Sequence, residues 1–295
     1  MRLIILFAGQ GSQSLEDLAI LRNQGSETLR KEFSDPTIDL AQLQENQNAQ
    51  PFLFALQRHW WDQLQSFIPA PVAVSGYSLG ALSAASAVGT FSAAEGLSLA
   101  RSRAQAMDEA VTEPCGLLAV LGLRASKIED LARDTRVFVA IQNGDQHFIL
   151  GGNSSDLLRA HTAAEKAGAI RCQRLFVNTP SHTPILKSAA KNWSKKLAEL
   201  SKSPLIPFPV LSGIDGRLLY SREQILQNLE FEICTRLNWQ ATLQAVIELR
   251  PDKVLEIGPG LALCKLLAEL GPEIPARSTT DFRSLQGVKD WLLKS

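Results

Sequence analysis

The sequence lacks a net charge. Thirty Lys and Arg residues balance thirty Asp and Glu over 295 positions, so no overall field draws the chain to nucleic acid or to an anionic membrane surface. Any anionic ligand must be held by local charge. Cysteine is also sparse: Cys115, Cys172, Cys234 and Cys264 stand far apart, with no Cys-x-x-Cys pair and no His close in sequence, which argues against a disulfide framework and a zinc site. They are expected to be free, mostly buried thiols in a reducing cytoplasm. No segment reaches the roughly 18 to 20 apolar residues that a membrane span needs. The N-terminal run Leu3 to Phe7 is short and ends in a Gly/Gln/Ser turn without a small-x-small cleavage site, so it reads as a buried first strand rather than a signal peptide. Internal repeats, low-complexity segments and long flexible linkers are missing as well.

What is present is enough apolar material, 45%, to bury a sizeable core in one large α/β domain or two unequal ones. The most informative segment is Gly76-Tyr77-Ser78-Leu79-Gly80, directly after the apolar run Val72-Ala73-Val74-Ser75 and before an Ala-rich stretch. Gly-x-Ser-x-Gly alone is a weak signal; between a strand and a helix it reads as a nucleophile elbow, whose strained turn lifts one hydroxyl to the edge of a sheet.

Apolar patterning predicts strands at Leu3 to Phe7 and from Val72, and helices over Ala81 to Val88 and Ser92 to Ala110, with Ser92 as N-cap. Between Gly116 and Asn178 the rhythm changes to strand 117–121, helix 126–134, strands 137–141 and 147–150, helix 154–167 and strand 171–177. That β-α-β-β-α-β order is ferredoxin-like. The expected architecture is therefore α/β: a hydrolase-like, parallel-sheet large domain over 1–115 and 179–295, with a ferredoxin-like subdomain inserted at 116–178. The large domain is expected to resume with a helix after Pro184, strand 208–212, helices 222–228 and 240–249, strand 253–257, and a helix from Leu261.

A serine hydroxyl needs a base within hydrogen-bond reach, and that base must be held in one tautomer. Only four histidines are available. His59 lies beside Trp60 and Trp61 in a helix, His147 opens a strand and His161 sits on an amphipathic helix, which are packing or surface positions. His182 follows Thr179-Pro180-Ser181 on a loop between elements and is the candidate base. No Asp or Glu stands at an obvious strand end between Ser78 and His182. A backbone carbonyl can orient an imidazole by accepting its Nδ1 hydrogen, with less support for the imidazolium than a carboxylate gives.

With these residues in place the chain resembles the malonyl-CoA:acyl-carrier-protein transacylases over nearly its full length. Phe7-Ala8-Gly9-Gln10-Gly11-Ser12-Gln13 matches the family's FPGQGSQ, and Gly76 to Gly80 its GHSLG. Arg103 with Met107 matches the Arg and Met of its next helix, Pro180-Ser181-His182 its PSH, and Glu256 to Gly260 its EVGPG. The resemblance implies the same fold, Ser78 as the nucleophile and His182 as its base. It implies backbone N–H groups of Gln10 and Leu79 as oxyanion donors, and Arg103 as the partner of the malonyl carboxylate. By spacing alone, Arg101 and Arg103 would be a solvated helix face. Asn238, beside Trp239, matches the position whose backbone carbonyl is implied to orient the histidine, although a plain turn residue fits it too.

The sequence departs from the family at Ala8 for Pro, Tyr77 for His and Ala81 for Glu. Together with Ser212-Gly213-Ile214-Asp215-Gly216, Gln142-Asn143-Gly144, Ala276-Arg277-Ser278, Asp281 to Leu285 and Trp291-Leu292, these departures resemble the transacylase (epsilon) subunit of malonate decarboxylase. The acceptor implied there is the thiol of a phosphoribosyl-dephospho-CoA group on a small carrier protein. A carrier of fatty-acid or polyketide synthesis is the alternative acceptor, thioester hydrolysis the alternative reaction, and a non-catalytic carrier-docking subunit the third reading. Such carriers are implied to be acidic, so Lys187, Lys191 and Lys195 are a candidate docking patch, or else a solvated helix face. Malonyl-CoA enters as substrate, no bound cofactor or metal is expected, and the expected location is cytoplasmic.

Overall fold

The computed structural model describes residues 1–200 and 205–294. Its described strands, in chain order, are β1 (Leu3–Phe7), β2 (Ala73–Gly76), β3 (Cys115–Leu121), β4 (Phe138–Gly144), β5 (His147–Asn153), β6 (Arg171–Arg174), β7 (Val210–Leu211), β8 (Leu218–Leu219), β9 (Leu237–Asn238), β10 (Lys253–Ile257) and β11 (Ala276–Ser278). They form two sheets. The large one runs β11-β10-β1-β2-β7-β8, parallel except for β8, which returns antiparallel on β7 at the edge.

Strand β1 shows why the sequence takes this form. Its side chains alternate: Leu3, Ile5 and Phe7 enter one buried cluster with the helices on one face, while Ile4 and Leu6 enter a second cluster on the other. A strand covered on both faces must be apolar at every position, and Leu-Ile-Ile-Leu-Phe is.

The second sheet has the order β6-β3-β5-β4-β9, with β3–β5, β3–β6 and β4–β5 antiparallel, which is a ferredoxin-like strand arrangement. Its pleat divides the core in the same way. Leu118, Val120, Phe148 and Leu150 pack under the helices Ala125–Thr135 and Ser154–Lys166, whereas Leu117, Ala119 and Ile149 share the second cluster with Ile4, Leu6, Trp239 and Leu263. The interval between the two sheets is thus an apolar layer, and the functional cavity opens within it.

Several boundaries differ from expectation. The helix after the elbow spans Leu79–Ala87, starting immediately after Ser78. Strand β6 stops at Arg174 rather than residue 177. The 208–212 segment contributes only Val210–Leu211 to the ladder, because the chain turns at Gly213 to Gly216 and pairs back through β8. Strand β9 comes from the C-terminal part of the chain yet pairs parallel with β4, through Leu237 opposite Ile141 and Asn238 opposite Gln142. The helix predicted from Ser92 spans Ala93–Glu109, and Ser92 caps it in a reciprocal capping box with Glu95. Among the described residues, no helix is long and apolar enough to cross a membrane.

Candidate active site

The elbow is built by close backbone approach. Strand β2 ends at Gly76, the Tyr77 N–H donates to the Phe7 carbonyl at 2.9 Å, and Ser78 takes φ 54° and ψ −115°. A β-carbon on Gly76 would lie 1.9 Å from the carbonyl carbon of Gly80, and one on Gly80 would lie 2.1 Å from the Phe7 carbonyl oxygen. Only glycine fits either place, so the flanking residues of Gly-x-Ser-x-Gly are fixed by geometry. A non-glycine residue at positive φ is strained, and that strain sits on the residue whose hydroxyl must stand clear of both sheet and helix.

Oγ of Ser78 lies 2.8 Å from Nε2 of His182. The other ring nitrogen, Nδ1, lies 2.5 Å from the backbone carbonyl of Glu232, and the His182 backbone N–H donates to the carbonyl of Ile233 at 2.9 Å. A carbonyl can only accept, so Nδ1 carries the hydrogen and Nε2 is left to accept from the serine. Both carbonyls lie at the C-terminal end of the helix Arg222–Glu232, where the last carbonyls have no intrahelical partner and the helix dipole presents its negative end. This helix end stands where a triad would place a carboxylate.

The orienting carbonyl is therefore that of Glu232, and the expectation for Asn238 is corrected. Asn238 is held in β9 beside Gln142, its side chain accepts from Ala241 N–H as the N-cap of Trp239–Glu248, and its carbonyl receives the Thr242 hydroxyl at 3.3 Å. Its pairing into the ferredoxin-like sheet commits it elsewhere.

His182 is 1% exposed, and burial pushes its pKa down to about 3, helped by the Arg103 charge and opposed by the Glu232 carbonyl. The ring is neutral at any physiological pH. Arg103 is 4% exposed on the helix Ala93–Glu109 and is itself lowered to about 10, by burial first, with the Glu232 charge pulling the other way. Its Nη1 donates to Oε1 of Gln50 at 2.8 Å, and Nε2 of Gln50 contacts the Met107 sulfur at 3.5 Å. Gln50 lies on the long helix Asn46–Leu64, whose Gln57 ties down the loop after β1 by donating to the Ala8 carbonyl at 2.6 Å.

A cavity of about 390 Å³ lies between the two sheets. Ser78, His182, Gln10 and Tyr77 line one side, Leu117, Ile141, Asn143, His147 and Ile149 the ferredoxin-like side, and Leu263, Lys265 and Leu266 a third. Arg103 is not on this wall; it is buried beside it, within electrostatic reach of His182 and Glu232. Gln10 follows β1 on the loop that borders the cavity, and its side chain donates to the Gln44 carbonyl at 3.3 Å. Leu79 is the first residue of its helix, where backbone N–H groups have no carbonyl one turn earlier to receive them.

Residues 7–259 match the acyl transferase domain family. The chain belongs to that family. The malonyl CoA-acyl carrier protein transacylase of Escherichia coli is 27% identical over 298 residues, covering 94% of this chain and 95% of that protein, and the protein of the same description from Haemophilus influenzae is 26% identical over 98% of each. Among solved structures, a malonyl-CoA:acyl carrier protein transacylase from Xanthomonas oryzae superposes with a TM-score of 0.89 at 25% identity, covering 99% of this chain and 98% of that one. A polyketide malonyl-transacylase solved in complex with its acyl-carrier protein gives 0.86 at 25% identity, with 98% and 99% covered.

Within this acyl transferase domain the remaining candidates fall as follows. His59 is buried against Trp60, and His161 pairs with Glu165 at 3.5 Å on its own helix. His147 is on the cavity wall, contacting Asn143 at 3.4 Å, with its pKa lowered by burial. Lys187, Lys191 and Lys195 are exposed along the helix Lys187–Ala198, and the lysine that lines the cavity is Lys265. Sequence reasoning passes over Glu232 and Gln50. Glu232 acts on the histidine through its backbone, which leaves no mark in the residue type; Gln50 closes the polar stretch Asn46 to Gln50 ahead of the apolar run Pro51 to Leu56, so its residue type does not set it apart.

Proposed function

We propose that the chain transfers a malonyl group from malonyl-CoA, through an ester on Ser78, to the thiol of an acyl carrier protein. The observation that carries this reading is the hydrogen-bonded line from Ser78 Oγ to His182 Nε2 and from His182 Nδ1 to the Glu232 carbonyl, with a buried guanidinium beside it.

In the first half-reaction Nε2 takes the Ser78 proton as Oγ bonds to the thioester carbon. The carbonyl oxygen gains negative charge and is met by the N–H groups of Gln10 and Leu79. Expulsion of the CoA sulfur follows, and the proton on Nε2 goes to that sulfur. The carrier thiol reverses the sequence on the acyl-serine, which is a ping-pong route. A buried imidazole with a pKa near 3 is a weak base in the free protein. It becomes sufficient because the imidazolium forms only alongside a new oxyanion, next to the negative end of a helix. Among the described residues Arg103 is the buried Lys or Arg, a positive charge that a malonyl group can neutralise and an acetyl group cannot. An acetyl group would leave that cation without an anionic partner from the substrate.

As acceptor we propose the phosphoribosyl-dephospho-CoA carrier of malonate decarboxylase. Two of the motifs that suggest that branch meet in the fold, where the Tyr77 hydroxyl donates to Oδ1 of Asn143 at 3.1 Å. Rates of transfer from malonyl-CoA to this carrier and to a fatty-acid-synthesis carrier, measured beside release of free malonate, test both levels. Faster transfer to the decarboxylase carrier supports the branch, and faster transfer to the other overturns it. Release to water alone overturns carrier transfer in favour of hydrolysis.

A further inference from the structure

The helix Asn46–Leu64 carries two amide side chains that reach the site from one face. Gln50 and Gln57 are two helical turns apart, which stacks them on the same side at a spacing of about 10 Å along the axis. Oε1 of Gln50 receives Arg103 Nη1 at 2.8 Å, whereas Nε2 of Gln57 donates to the Ala8 carbonyl at 2.6 Å. Gln57 is fully buried, and its Oε1 has no hydrogen-bond partner among the described residues. A buried amide satisfied at one end only costs stability that an apolar side chain of similar size would not. What it supplies is one bond to the loop after β1.

That loop leads directly to Gln10. The Ala8 N–H donates to the Ile257 carbonyl at 3.0 Å, a bond that a proline in its place could not make, and the Ala8 carbonyl is held by Gln57. Both peptide groups of Ala8 are therefore tied. Gly9 follows, pressed onto Tyr77, where a β-carbon would lie 2.8 Å from the ring and 3.0 Å from the carbonyl oxygen. Gln10 is held from the far side, by its own side chain on the Gln44 carbonyl at 3.3 Å. The peptide that carries the Gln10 N–H thus lies between two anchors, and among the described residues that N–H has no acceptor of its own. Gly258 makes room for the first anchor, since a β-carbon there would come within 2.9 Å of both Gln57 Nε2 and the Ala8 β-carbon.

We propose that Gln57 is a positioning residue for the oxyanion: by fixing the Ala8 carbonyl it aims the Gln10 N–H at the place where negative charge forms on the thioester oxygen. The inference rests on the malonyl reading above and deepens it. Gln57 is not on the cavity wall and acts only through the loop. An oxyanion donor is most effective when it is in place before the charge develops, because turning it during the reaction forfeits part of the stabilisation. Alanine leaves free the backbone torsion that proline would fix, and the bond from Gln57 supplies the constraint.

The test is single-turnover acylation of the full chain, read by intact mass as formation of the Ser78 ester over a series of malonyl-CoA concentrations. Gln57→Leu removes the donor and keeps the bulk. Its limiting rate is expected to fall roughly 10- to 100-fold, with the half-saturating concentration changed less than about threefold, because the lost stabilisation belongs to the transition state. The fraction of chains finally esterified is expected to match wild type, which separates a slowed step from a misfolded population. Gln57→Met also lacks the donor and carries the same expectation, and the test, if the Leu variant does not fold. A limiting rate within about threefold of wild type, a change confined to the half-saturating concentration, or a final ester fraction that falls in step with the rate overturns the proposal. An ester that forms equally fast on wild type and Gln57→Leu removes the role of Gln57 and leaves malonyl transfer standing, and no ester on wild type overturns both.

Discussion

The hydroxyl of Tyr77 donates to Oδ1 of Asn143 at 3.1 Å, tying the residue before Ser78 to the ferredoxin-like sheet across the cavity. The Tyr77 ring also meets Trp239 edge-on, with centroids 5.1 Å apart. Burial holds the phenol well above its ordinary pKa, so it remains a donor throughout the working range. Tyr77→Phe keeps the ring contact and leaves the buried Asn143 oxygen without that partner. Denaturant unfolding is expected to show a loss of about 1–2 kcal/mol.

The backbone strain at Ser78 gives a second prediction. At φ 54° an alanine carries the same strain as the serine, and glycine does not. Ser78→Gly is expected to be more stable than Ser78→Ala by about 1 kcal/mol in thermal or denaturant unfolding, although neither carries a hydroxyl.

Arg103→Ala removes the buried cation that we propose selects an acidic acyl group. Initial rates with malonyl-CoA and acetyl-CoA are expected to show kcat/KM for malonyl-CoA reduced by roughly 100-fold, with the ratio of the two substrates moved toward acetyl. An unchanged ratio would separate Arg103 from selectivity.

His182 has its folded pKa depressed from 6.5 to about 3, so the unfolded chain binds the extra proton between those values. Its contribution to stability is present above about pH 6.5 and is lost as pH falls, with a slope approaching ~1.4 kcal/mol per pH unit. Glu232, raised from 4.5 to about 8, works in the opposite sense from pH 4.5 upward. The His182 contribution is therefore read as the difference between wild type and His182→Gln, which is expected to shrink from pH 6.5 to pH 4.

The parts of this fold legible in the sequence are those where burial and periodicity agree. Leu3 to Phe7 is apolar at every position because clusters cover both of its faces, and Ser92 with Glu95 spells its own helix start. The pairing of Ser78 with His182 is legible because the elbow demands two glycines and a base, and few histidines compete. What the sequence hides is backbone chemistry. The carbonyls of Glu232 and Ile233 position the imidazole by standing at a helix C-terminus, so the expectation settles on Asn238, which β9 holds against Gln142. Strand β8 is hidden, and β7 is shorter than the expected 208–212 strand, because two-residue ladders carry no period to read.

The most direct measurement is the intact mass of the purified chain after mixing with malonyl-CoA. One added malonyl group, mapped to Ser78 and missing from Ser78→Ala, is the result predicted by a hydroxyl held 2.8 Å from an oriented imidazole. An unmodified chain, or an adduct that persists in Ser78→Ala, would contradict it.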